Sequence, residues 1–212
     1  MSQTATPATL PGLLFIVAAP SGAGKTSLVK ALLESTSGIT VSVSHTTRAM
    51  RPGEENGVHY HFTDIPAFEA MRDAGEFLEH ARVFDNYYGT SRAAVQERLQ
   101  QGRDVVLEID WQGARQVREH FQDSIGIFVL PPSRQALQQR LQGRGQDDEQ
   151  IIARRMRDAV AEMKHYDEFD YLVINDDFDL ALQELRCIVQ GQHLQSVRQQ
   201  QKYRALLDEL LQ

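Results

Sequence analysis

The sequence predicts an α/β fold: a mainly parallel sheet covered by helices on both faces, carrying an α+β insertion and a small lid. Three observations carry this reading. Short apolar runs alternate with helical patterns along most of the chain, residues 45–91 break that rhythm, and a polar, glycine-containing break at 143–149 (GRGQDDE), which by itself reads equally as a mobile lid or an ordinary surface loop, separates two arginine-bearing helical stretches. Strands that alternate with helices imply βαβ units. Continuous apolar runs, rather than alternating ones, imply strands buried on both faces.

Residues 13–18 (LLFIVA) form the first strand, ending in a Gly/Ser/Pro cluster before a helical pattern marked by Leu28, Ala31 and Leu32. Residues 39–44 alternate as a second strand, and 105–109, 125–130 and 171–174 give three more, each followed by a helical stretch, the last from about Asp179. Within 45–91, one helix fits 65–74, with Asp64 as N-cap and Gly75 just past its end. The flanking runs 58–62 and 77–84 read as strands. After Gly191 the chain is glutamine-rich, yet Leu206, Leu207, Leu210 and Leu211 keep an apolar helical stripe. The expected organisation is a flexible tail over 1–11, core over 12–43, insertion over 44–91, core over 92–135, lid over 136–158, and core with a C-terminal helix over 159–212.

Hydrophobic residues make up 42% of the chain, enough for a real core and against a disordered polypeptide. The net charge of −7 gives no support to a nucleic-acid partner, because backbone-binding proteins carry a basic surface. No apolar run approaches a membrane span and the first residues lack a signal-peptide pattern, so a cytoplasmic location is expected. The single cysteine, Cys187, has no disulfide partner and reads as buried or half-buried. His59 and His61 share a strand face but lack a third ligand, so no zinc site is expected.

The strongest motif is Ala19-Pro20-Ser21-Gly22-Ala23-Gly24-Lys25-Thr26, between a predicted strand and a predicted helix. That is the setting of a phosphate-binding P-loop. Gly22 and Gly24 let backbone N–H groups turn towards phosphate oxygens, and the helix N-terminus favours anions. Lys25 reaches the β- and γ-phosphates, and Thr26 supplies a hydroxyl to Mg²⁺. Ala19 stands where the full pattern has glycine, so the first turn must use ordinary backbone angles. The motif specifies nucleotide binding without choosing among kinase, GTPase and motor.

Further blocks narrow the choice. Ser44-His45-Thr46-Thr47-Arg48-Ala49-Met50-Arg51-Pro52-Gly53-Glu54 sets two arginines beside a turn, suited to bidentate phosphate contacts. Asp85-Asn86-Tyr87-Tyr88-Gly89-Thr90, then Leu107-Glu108-Ile109-Asp110-Trp111-Gln112-Gly113, then a PPS…GRG stretch follow in order. Together these four blocks make the chain resemble guanylate kinase from about Leu13 to the C-terminus. The resemblance implies a P-loop parallel-sheet core with a GMP-binding insertion and a lid, ATP and GMP as substrates with acceptance of dGMP left open, and Mg²⁺ carried with ATP. It places the GMP phosphate against Arg48, Arg51, Tyr60 and Tyr88, and the guanine against Ser44, Glu79, Thr90 and Asp110. Ionised Glu79 and Asp110 can only accept hydrogen bonds, while the Ser44 and Thr90 hydroxyls can donate, which suits guanine and not adenine.

The resemblance further implies that Arg144 and Arg155 close over the ATP phosphates and act in catalysis with Lys25 and Arg48. By spacing alone Arg134, Arg140, Arg144, Arg154, Arg155 and Arg157 each read equally well as solvated helix charges. Asn175 is placed on the adenine side. Thr90 stands where many relatives have serine, and Glu108 where many have aspartate; Glu108 and Asp110 point to one face and are candidates to hold Mg²⁺ through water. Trp111 and Phe62 read as packing. Three other readings compete: a nucleoside monophosphate kinase with another acceptor, against which Glu79 and Asp110 stand, a guanylate-kinase-like interaction module, against which the intact Gly24-Lys25-Thr26 stands, and a GTPase switch, against which the lack of an NKxD block stands.

Overall fold

The computed structural model describes residues 10–83, 85–143 and 149–212. Phe84, the segment 144–148 with Arg144, and the first nine residues of the expected tail lie outside them.

Five strands form the core sheet: β1 (Leu14–Ala18), β2 (Ile39–Val41), β7 (Asp104–Glu108), β8 (Ile125–Leu130) and β9 (Tyr171–Ile174). Their order is β2-β7-β1-β8-β9, and every neighbouring pair is parallel. Alternation along β1 explains the covering of both faces. Phe15 and Val17 pack with Leu28, Val29 and Leu32 of α1 (Lys25–Ser35) and with Ala181, Leu185 and Val189 of α7 (Phe178–His193). Leu14 and Ile16 turn the other way, onto Val95 and Leu99 of α3 (Arg92–Gln100) and Ala114 and Val117 of α4 (Trp111–His120). At the N-terminal end of the sheet, buried Asp104 accepts the Leu13 N–H at 2.8 Å and pairs with His193 at 2.6 Å, tying α7 to β7.

A second, four-stranded sheet is built from β3 (His45–Thr46), β4 (His61–Phe62), β5 (Phe77–Val83) and β6 (Asn86–Ser91), in the order β4-β3-β6-β5. The hairpin β5–β6 is antiparallel, as is β3 on β6. Helix α2 (Ile65–Asp73) covers this sheet through Phe68, which stacks on Phe77 at 4.5 Å and on Tyr87 at 5.4 Å. The Asp64 carboxylate accepts the Ala67 N–H, as its position before the helix predicts. Helix α5 (Arg134–Gln142) packs on α6 (Glu149–Met163) through Leu137, Leu141 and Ala159.

Four expectations need correcting. The strand expected over 39–44 ends at Val41, and the chain then leaves the core sheet to enter the second one at His45. The strand expected over 58–62 is only His61–Phe62, because Asn56 and Gly57 close a turn in which Gly57 donates to the Tyr60 carbonyl at 2.7 Å and Val58 is exposed. Cys187 is exposed. The buried stripe of α7 runs through Ala181, Leu185 and Val189, and Cys187 lies two residues from Leu185, on the far side of the helix. The C-terminal stripe lies on the short helix α9 (Arg204–Leu210) with Leu211 just past it, and neither α9 nor the preceding α8 (Ser196–Lys202) buries a residue; Leu210 is 70% exposed.

Candidate active site

Both β1 and β7 deliver their C-terminal ends to one cleft of about 420 Å³, where open α/β sheets bind ligands. Residues 19–24 follow β1 and run into α1. Gly24 occupies the N-cap position with φ 97°, and Gly22 has φ 94°. Among the described non-glycine residues only Asp85 has positive φ, so the turn at Ala19 uses ordinary angles, as the alanine requires.

The loop is braced from beneath. Asn175, buried at the end of β9, donates its amide to the Ala23 carbonyl at 2.7 Å. Arg140 of α5 reaches the same carbonyl at 3.4 Å and the Asn175 carbonyl at 2.8 Å. Asn175 thereby gains a role that sequence reasoning did not give it, bracing the loop backbone with its side-chain amide. A Cβ at Gly24 would collide with that amide, and its φ excludes ordinary side chains. Gly24→Ala is therefore expected to lose about 1–3 kcal/mol of stability and most nucleotide affinity, checked by urea melts and ADP titration.

Lys25 points across the cleft and donates to the Ile109 carbonyl at 3.3 Å. Burial lowers its pKa, and Glu108, Asp110, Glu162 and Glu79 oppose that shift. Thr26, in the first turn of α1, also lines the cleft, as do Glu108 at the end of β7 and Asp110 just past it. Asp110 caps α4 with Oδ1, which accepts the Gly113 N–H at 2.8 Å, and this leaves Oδ2 available.

Opposite the loop stands the second sheet. Glu79 on β5 is buried, and burial pushes its carboxyl up to about 7. Its Oε1 accepts the Thr90 hydroxyl of β6 at 2.5 Å. Gly113 lets α4 approach it closely, since a Cβ there would come within 2.9 Å of Glu79 Oε2. Ser44 and Thr90 Oγ atoms lie 3.4 Å apart. Thr90 thus spends its proton on Glu79, so across the 3.4 Å contact Ser44 is the donor and Thr90 the acceptor; of the two hydroxyls only Ser44 lines the cleft, where it can turn its proton to a ligand. Tyr60 and Tyr88 meet edge-on with ring centres 6.0 Å apart.

The structure brings Ala19, Pro20, Ser21, Gly22, Gly24, Lys25 and Thr26 into one cavity with Ser44, Tyr60, Glu79, Tyr88, Glu108, Asp110 and Arg155. Ala23 contributes only its carbonyl to the bracing beneath. Arg48 flanks the cleft: its guanidinium lies 5.4 Å from the Tyr60 ring and donates to Glu54 at 2.7 Å and to the Ala49 carbonyl at 2.8 Å. Arg51 is exposed, and its backbone N–H donates to the other Glu54 oxygen at 2.7 Å. Trp111 packs flat on His165 at 3.6 Å, outside the cleft.

Two residues escape sequence reasoning. Glu54 bridges the two arginines, a role its place in the Arg-Pro-Gly-Glu turn could have suggested. Glu162 lines the cleft and accepts the Ser21 N–H at 3.3 Å. It lies seven residues after Arg155, so helical spacing could have placed both on one face of α6.

The comparisons with known proteins agree with one another. A family profile described as guanylate kinase matches residues 12–192. A guanylate kinase of Chromohalobacter salexigens is 65% identical over 200 residues, covering 94% of this chain and 93% of that protein. One of Nitrosococcus oceani is 58% identical, covering 94% and 98%. A crystal structure of guanylate kinase from Anaplasma phagocytophilum superposes with a TM-score of 0.75 at 30% identity, over 91% of each chain.

Proposed function

Because the chain belongs to the guanylate kinase family, we propose that it transfers the γ-phosphate of ATP to GMP, giving ADP and GDP in purine nucleotide metabolism. The observation that carries this reading is a single cleft with a phosphate loop on one wall and buried Glu79 on the other.

The insertion, residues 44–91, takes GMP. Arg48, Arg51, Tyr60 and Tyr88 hold its phosphate, and the Tyr60 hydroxyl resists ionisation because burial raises its pKa, which keeps it a donor. Glu79 and the free oxygen of Asp110 accept the guanine N–H groups, Ser44 donates to O6, and Thr90 acts through Glu79. ATP lies along residues 19–26. The lid, residues 136–158, brings Arg155 to the transferring phosphoryl group, with Arg144 assigned the same task by the family resemblance. Segments 12–43, 92–135 and 159–212 form the core that holds the two in register.

The attacking oxygen of GMP is already anionic, so no general base is required. Rate enhancement comes from in-line positioning and from charge stabilisation by Lys25, the loop amides and the lid arginines. Among the described residues no group of three or more acidic, histidine or cysteine side chains forms a metal cage. The donors present fit an ion carried mainly by nucleotide phosphates and water, as Mg²⁺ is. Thr26 would hold it directly and Glu108 and Asp110 through water, and the ion supplies neutralisation of phosphate charge when bound. Among the described residues no helix is long and apolar enough to cross a membrane, and we place the enzyme in the cytoplasm.

Mixing the protein with ATP, Mg²⁺ and GMP is expected to yield ADP and GDP in equal amounts, and chelation of Mg²⁺ to stop both. ADP formed without GDP would count against the reading.

A further inference from the structure

Glu162 is a cleft carboxylate with no task in the phosphoryl transfer. It sits two helical turns after Arg155 on α6, and both line the cavity. Its Oε2 accepts the Ser21 N–H at 3.3 Å. That N–H belongs to the loop whose backbone Gly22 and Gly24 turn inward, where anionic oxygens bind. Burial raises the pKa of Glu162; the Ser21 N–H and Lys25, facing it from α1, favour its ionised form, while Asp110 across the cleft and Asp158 on its own helix disfavour it. A carboxylate so placed offers the Ser21 N–H the same anionic acceptor that a phosphate oxygen would.

Resting on the kinase reading, we propose that Glu162 is a positioning residue for the donor nucleotide: an internal anion that occupies the phosphate loop through Ser21, holds α6 against it, and is displaced when nucleotide phosphate arrives. Two anions cannot share one N–H and one ammonium without repulsion. Glu162 must therefore withdraw, and its withdrawal frees the helix that carries Arg155. Donor binding is weakened by the cost of this exchange, and GMP binding, which uses the other wall, is not.

The test is Glu162→Gln, which keeps the size and an acceptor oxygen but removes the charge. Calorimetric titrations with ADP, with inorganic pyrophosphate and with GMP are compared with the wild type. Replacing a charge-assisted hydrogen bond by a neutral one is expected to tighten ADP and pyrophosphate by about tenfold, by a common factor, with GMP unchanged. A purely structural role would instead shift GMP and ADP alike. Unchanged or weaker ADP binding, or an equal shift for GMP, overturns the proposal. Should glutamine lower the melting midpoint, Glu162→Asp, which keeps the charge but shortens its reach to Ser21, takes its place: tighter ADP and pyrophosphate with GMP unchanged supports the proposal, and any other pattern overturns it. Wild-type turnover of ATP with GMP is measured alongside. If it is absent, the kinase reading falls and this inference with it; if present while ADP binding is unmoved in the variants, only the inference falls.

Discussion

Lys25→Ala is expected to lower kcat by about 10²–10³-fold while changing the KM for GMP little. Lys25 is the cation at the mouth of the loop, where α1 begins, and it is buried among Glu79, Glu108, Asp110 and Glu162. Its ammonium donates to the Ile109 carbonyl at 3.3 Å, a partner it can exchange for a phosphate oxygen. In a site that excludes water, a positive charge aimed at the transferring group counts for more than the same charge in solution. In the proposed function GMP is held by groups on the opposite wall, which predicts the split between kcat and KM. Steady-state kinetics with each substrate varied in turn check it. A variant that lost only ATP affinity, with kcat intact, would show that Lys25 binds ground state and transition state equally, contrary to the role assigned.

Glu79→Gln is expected to lower kcat/KM for GMP by about 10²–10³-fold, since up to two hydrogen bonds to a charged acceptor are lost or inverted at about 1.5–3 kcal/mol each. The same substitution is expected to stabilise the free protein at alkaline pH. The carboxyl titrates near 4.5 when unfolded and near 7 when folded, because burial disfavours its charge. Between those values the native state holds the extra proton, so this group's contribution is most favourable below the unfolded pKa and is lost as pH rises through the folded one. The loss amounts to about 3 kcal/mol. Glutamine cannot ionise and removes that slope. Urea melts at pH 5 and pH 8 should show the wild type weakening between the two pH values relative to the variant. Equal slopes would mean that Glu79 does not resist ionisation in the folded state. Loss of activity together with a gain in stability marks a residue whose burial serves recognition rather than folding.

Much of the fold is legible in the sequence because its signals are local. Apolar runs of four to six residues mark the core strands, and Asp64 stands where a cap should stand and caps its helix. The loop from Ala19 to Thr26 declares itself by spacing alone. What stays hidden depends on distant contacts. Nothing near Asn175 says that its amide will reach Ala23, 152 residues away. The pairing of Thr90 with Glu79, which spends the threonine proton, becomes visible only when β5 and β6 are in register. The run from Val58 to Phe62 alternates well enough to imitate a full strand, while the Gly57–Tyr60 hydrogen bond that makes most of it a turn has no strong pattern of its own. Cys187 escapes because a helical apolar pattern does not state where its stripe ends.

In the proposed function one cleft couples ATP to guanine through Glu79 and Asp110, and the most direct test of that coupling is the rate of ADP release from ATP and Mg²⁺ with GMP, AMP, CMP or UMP offered in parallel. Fast release is expected with GMP and, with AMP, a kcat/KM lower by about 10⁴-fold or more, because adenine would turn an acceptor towards a buried carboxylate. Comparable release with AMP or a pyrimidine nucleotide would contradict the assignment of the base site. No release with any acceptor, from folded protein that still binds GMP, would contradict the kinase itself.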